Sequence, residues 1–163
     1  MRKMILSAAI GVLLACGVYW LIDVFDNVKR ASDIAALQAQ VADEWLGLTD
    51  VSMSDGHSLN GQMIEPVATW TIEPKRVLEL RVAVSTRDIA TGEPVCVGGT
   101  VTFIIEPAEP KAFSRPLSRI AGVDRCEWPV GVYRSRFTWT MTDPASRVSK
   151  TLFQESDQFA VTN

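Results

Sequence analysis

Histidine occurs once in these 163 residues, cysteine three times and tyrosine twice. A hydrolase that relies on an imidazole base therefore has only His57 to use. That residue stands in Met53-Ser-Asp-Gly-His-Ser-Leu-Asn-Gly-Gln-Met63, a polar, glycine-containing stretch that reads as a loop, and spacing fixes no partner for it. The cysteines form no C-x-x-C pair and no zinc knuckle. Missing as well are a glycine-rich phosphate loop, an H-E-x-x-H helix and an EF-hand loop. Carboxylates are scattered, so no two can be paired as acid and base. The chain lacks repeats and low-complexity tracts, and 16 Lys and Arg against 19 Asp and Glu give a net charge of −3. Beyond residue 40 the balance is twelve against sixteen, which argues against nucleic acid as a partner. What is absent points away from an enzyme and towards a non-catalytic module.

What is present begins with MILSAAIGVLLACGVYWLI, residues 4–22, which carries no charge. Nineteen residues rising about 1.5 Å each cover roughly 28 Å in a helix, close to the hydrocarbon thickness of a bilayer. Arg2 and Lys3 precede the run and Tyr19 and Trp20 close it, so residues 1–3 are expected in the cytoplasm and the remainder outside. The leading expectation is a single-pass protein of the inner (cytoplasmic) membrane with a periplasmic C-terminal domain. Leu13-Leu14-Ala15-Cys16 resembles the lipobox of bacterial lipoproteins, which implies acylation at Cys16. Against that, Leu14 is unusual at its place and the apolar run continues through Ile22. A cleaved secretory signal is the third reading. All three deliver the later residues to a compartment where disulfides persist, leaving Cys96 and Cys126 as one expected pair, with two buried thiols as the alternative.

From Asp23 to Leu48 apolar residues recur at Val24, Val28, Ala31, Ile34, Leu37, Val41, Trp45 and Leu48, spacings that suit a helical stalk over 23–48. Its stripe is expected to dock on the domain or on a sister helix; self-association through span and stalk is thus one expectation and an envelope protein partner another. Residues 49–65 read as a loop. From 66 to 163 the period changes to two. Ala68, Trp70 and Ile72 share a face, as do Leu78, Leu80, Val82 and Val84, then Val101, Phe103 and Ile105, and most cleanly Tyr133, Ser135, Phe137, Trp139 and Met141. Turn signals at Glu73-Pro74, 91–94, 106–110 and Asp143-Pro144 separate these strands. The expected fold is mainly β: a transmembrane helix and stalk followed by an antiparallel sandwich.

Gly131-Val132-Tyr133 at the head of the strongest strand is similar to the tyrosine corner of immunoglobulin-like domains, which implies a phenol bonded to upstream backbone. The resemblance covers about 30 residues and lacks the Cys-Trp-Cys framework, because Cys126 precedes the tyrosine. Tyr133 as a plain core residue is the alternative. Two ligand sites are candidates. Met53, His57 and Met63 bring soft donors that suit copper; the plainer reading makes Met63 core and His57 solvated. Lys111, Arg115, Arg119, Arg125, Arg134 and Arg136 oppose only Asp124 and Glu127, a patch suited to lipid headgroups, a cell-wall polymer or an acidic partner. Arginines that serve only solubility are its alternative. The function expected is a membrane-anchored binding or bracing module, an accessory subunit of a bacterial or phage-encoded envelope complex, with a periplasmic copper protein as rival.

Overall fold

The computed structural model describes residues 2–124 and 126–163, with side chains from residue 17 onward. Cys16, Arg125 and the first part of the apolar run lie outside the described side chains. The chain divides into two units, Met1–Gln40 and Val41–Asn163.

The first unit is one helix, α1 (Arg2–Ala39), free of proline throughout. Among the described residues no helix is long and apolar enough to cross a membrane. The helix ends nine residues before the expected end of the stalk. Val41, Trp45 and Leu48 continue the three-and-four spacing, but they belong to the second unit. There a 3-10 turn (Ala42–Glu44) leads into β1 (Leu46–Leu48), and Trp45 and Leu46 are fully buried. Burial against the sheets overrides the local period.

The second unit is mainly β and sandwich-like. One sheet centres on β5 (Val67–Pro74), flanked on one side by β1 and β2 (Ser52–Met53) and on the other by β8 (Lys111–Pro116). The other runs β4 (Gln62–Ile64), β3 (Gly56–Leu59), β11 (Phe159–Thr162), β9 (Gly131–Thr142), β6 (Leu78–Asp88) and β7 (Pro94–Ile105), with β10 (Ser149–Glu155) also on β9. Two expectations change here. Residues 49–65 hold three short strands instead of a loop, including a hairpin turned at Asn60-Gly61, both with positive φ. And the sheet is mixed, because β3 lies parallel to β11.

Alternation decides the core as expected. Tyr133, Ser135, Phe137, Trp139 and Met141 are all fully buried, as are Ala68, Leu78 and Leu80. The phenol of Tyr133 donates to the Pro129 carbonyl four residues upstream, and burial, then the charge of Asp88, raises its pKa. The polar member, Ser135, shares a hydrogen bond of 2.7 Å with the Thr86 hydroxyl, while its N–H donates to Ser156. Buried hydroxyls are thereby satisfied.

Asp143 organises the β9–β10 turn. Its Oδ1 accepts from the N–H of Ala145 and Ser146, and its Oδ2 lies 3.0 Å from Arg76, whose guanidinium covers the Trp45 ring. Burial pushes its pKa up, but the Ser146 hydrogen bonds, Arg76 and Ala145 outweigh this and hold it below the ordinary carboxylate value. A folded pKa below the unfolded value of about 3.9 gives stability that is complete above about pH 5 and lost as pH falls through the folded pKa. Asp143→Asn is expected to cost about 1 to 2 kcal/mol at neutral pH. In urea unfolding across pH, the gap to the parent should close below about pH 4; a gap that stays constant to pH 2 would contradict this role for the charge.

Candidate functional site

The sandwich is open along one side. Residues directly opposite each other in a pair of strands share a face. On β8 the partners are Ile72↔Lys111, Trp70↔Phe113 and Ala68↔Arg115, so the residues turned inward are Lys111, Phe113 and Arg115. On β7 the partners Leu78↔Ile105, Leu80↔Phe103 and Val82↔Val101 turn three apolar side chains inward. The residues of β5 and β6 at these levels are buried, whereas Val101, Phe103 and Phe113 on the two outer strands are only half-buried. Between those edges lies a cavity of about 280 Å³ with an almost wholly apolar lining.

Trp70 and Val82 line its inner side. The Trp70 ring stacks on Phe113, centroids 5.8 Å apart and planes 14° apart, and leans on Trp139 at 5.6 Å. The remaining wall is Val101, Phe103, Phe113 and Ile120, with Arg115 and Arg119 as the basic members. Lys111 holds its ammonium 5.6 Å from the Phe113 ring centre, on the same strand face as Arg115. Among the described residues neither Arg115 nor Arg119 is in an ion pair.

Short-range signals build the frame of this slot. Chain segment 106–110, Glu-Pro-Ala-Glu-Pro, carries the chain from β7 across to β8. After Pro116 comes α2 (Leu117–Ala121), stopped by Gly122 in the left-handed conformation at φ 67°, with the Val123 N–H returning to the Ser118 carbonyl. The helix settles on β7 at Gly98, where an added Cβ would collide with the Ala121 carbonyl oxygen. Gly98 and Gly99 stand against Val84 alone, a bulge that bends the strand at this contact. A disulfide joins Cys96 to Cys126 across 30 residues, as expected. Every cavity residue except Trp70 and Val82 therefore lies within one covalently closed loop.

Gly98→Ala is expected to cost about 2 to 3 kcal/mol, the upper part of the overpacking range, because the obstructing atom is backbone and not the end of a flexible side chain. Chemical denaturation of the full chain reads this; a cost within 0.5 kcal/mol, on the order of an ordinary surface substitution, would mean that α2 is free to move away.

No family model and no curated protein matches this chain. Geometry alone therefore ranks the sites. The basic residues divide: Arg115 and Arg119 line the slot and Lys111 sits over the Phe113 ring on the same strand face as Arg115, whereas Arg134 and Arg136 lie on the outer face of the larger sheet. There Arg134 sits 3.8 Å from Glu155 and directly across from Arg87, and Arg136 covers the Phe153 ring.

The three soft donors do not converge. Met53 lies on the smaller sheet opposite Ala68, while His57 and Met63 belong to a hairpin of the larger one. Since His57 pairs with Ile64 and Ser58 with Met63, imidazole and thioether occupy opposite faces of that hairpin. Among the described residues no three His, Cys, Asp or Glu side chains gather as metal ligands. His57 is exposed, and no serine or carboxylate hydrogen-bonds to it among the described residues. The slot itself left one legible trace: in Lys-Ala-Phe-Ser-Arg-Pro the aromatic and both charges fall on the same alternate positions.

Proposed function

We propose that this protein is a membrane-anchored, extracytoplasmic, immunoglobulin-like sandwich module with a non-catalytic binding role, an accessory or assembly subunit of a bacterial or phage-encoded envelope complex. The observation that carries the binding role is the apolar slot with arginines at its rim, since concave apolar sites with a few placed polar groups are where proteins hold ligands. Support for the compartment comes from the disulfide and from the uncharged run behind Arg2 and Lys3. Support for the immunoglobulin-like assignment comes from the bond between Tyr133 and Pro129.

A tether of this kind holds the module close to membrane partners, which raises its effective concentration there. Co-purification from detergent-solubilised membranes tests the subunit role. A companion protein retained in stoichiometric amount is expected; isolation of the chain alone at every detergent strength would contradict it. The lipobox-like Leu13-Leu14-Ala15-Cys16 favours a second reading of the anchor, in which Cys16 carries the acyl chains. Mass measurement of the mature protein separates them: an intact Met1 or Arg2 start supports the span, and an acylated N-terminal Cys16 supports the lipoprotein.

A further inference from the structure

The geometry points to the occupant of the slot: a single medium-length acyl chain ending in a carboxylate, an inference that rests on the binding role proposed above. Capacity sets the size. At about 280 Å³ the slot lies at the lower end of the range of ligand pockets, which suits a slender chain better than a bulky ligand. The lining sets the tail, because Trp70, Phe103, Phe113 and Ile120 present hydrocarbon and ring surface to the cavity. The rim sets the head. Arg115 points inward from β8, Arg119 meets the same cavity from α2, and neither is in an ion pair among the described residues. Two guanidinium forks beside an apolar slot complement a planar carboxylate.

The main competing occupant, an extended peptide adding a strand to either open edge, is opposed by the edges themselves. β8 lies between Pro110 and Pro116 and turns Lys111 and Arg115 inward, while β7 is broken by the bulge at Gly98-Gly99 and by a second register shift near Val95. Prolines, inward charges and bulges are the devices that stop strand addition.

The test uses the full chain held in an amphipathic polymer, free of acyl detergent, and a ten-carbon carboxylic acid carrying a photoreactive group at its chain end. Cross-links are expected in the segments that line the slot, residues 67–74, 80–84, 101–105 or 111–121, suppressed by excess decanoate and not by decyltrimethylammonium. Arg115→Gln together with Arg119→Gln should lower labelling at least fivefold, with the melting temperature checking the fold, while Arg134→Gln should leave it unchanged. Scattered labelling, equal competition by the cationic amphiphile, or stronger competition by an acidic peptide of alternating valine and aspartate would overturn the inference. Should labelling fail while a companion subunit still co-purifies, the acyl ligand falls and the binding module stands.

Discussion

The Trp139→Ala variant is expected to lose about 3 to 5 kcal/mol of stability, a larger effect than that of Asp143→Asn or Gly98→Ala. Trp139 is fully buried in the second half of β9, where its ring lies within 18° of parallel to Phe137 at 6.2 Å and meets Trp70 across the sandwich at 5.6 Å. Its indole N–H donates to Gln154 at 3.1 Å, and the amide of Gln154 in turn donates to the Thr49 carbonyl. Truncation removes the aromatic volume that both sheets pack on and leaves the Gln154 oxygen without its donor. The effect should reach the slot as well, since Trp70 has Trp139 on one side and Phe113 on the other. Urea unfolding of the full chain measures the loss; a value below about 1 kcal/mol would mean that Trp139 is not part of the common core.

Replacing Cys96 and Cys126 together by alanine is expected to cost about 3 to 4 kcal/mol, the chain-entropy value for a bridge closing some 30 residues. Alanine is preferred to serine because both sulfurs are buried, and a hydroxyl there would add its own penalty. The parent protein under reducing conditions should lose a similar amount. If the double variant is destabilised and the reduced parent is not, side-chain packing and not the cross-link is responsible. Since the bridge closes the loop that carries Phe113, Arg115 and Arg119, faster hydrogen exchange after reduction should concentrate in β8 and α2.

The parts of this fold that could be read from residues alone are those where one face is buried over a long stretch. β9 alternates without interruption over twelve residues because its inner face packs on the opposing sheet along its length, and its faces were legible at once. Trp45 and Leu46 were not, since a three-residue strand has too little length to show a period and the helical spacing happens to run on through it. The hairpin of β3 and β4 carries its signal in Asn60-Gly61, but its strands of four and three residues are too short and polar to show a period. Its parallel pairing with β11 joins residues about a hundred positions apart, which no local pattern encodes.

The candidate site divides in the same way. Arg134 and Arg136 face away from the core, as alternation requires. Lys111 and Arg115 share the inner face with Ile72 and Ala68 through the register of β8 on β5, and they stay exposed there because β8 is an edge, a property of the whole sheet. A charge facing inward is tolerated there because, among the described residues, no strand closes that side of the sandwich. The same missing neighbour leaves the slot open, so the inward charges and the cavity have one cause.

The proposed role depends most on where the domain resides. Fusing alkaline phosphatase, which is active only when its disulfides form outside the cytoplasm, to the C-terminal Asn163 in a bacterial host measures this directly. Strong phosphatase activity in the membrane fraction is expected; an inactive phosphatase, together with bright fluorescence from a matching fusion that folds only in the cytoplasm, would contradict an extracytoplasmic module.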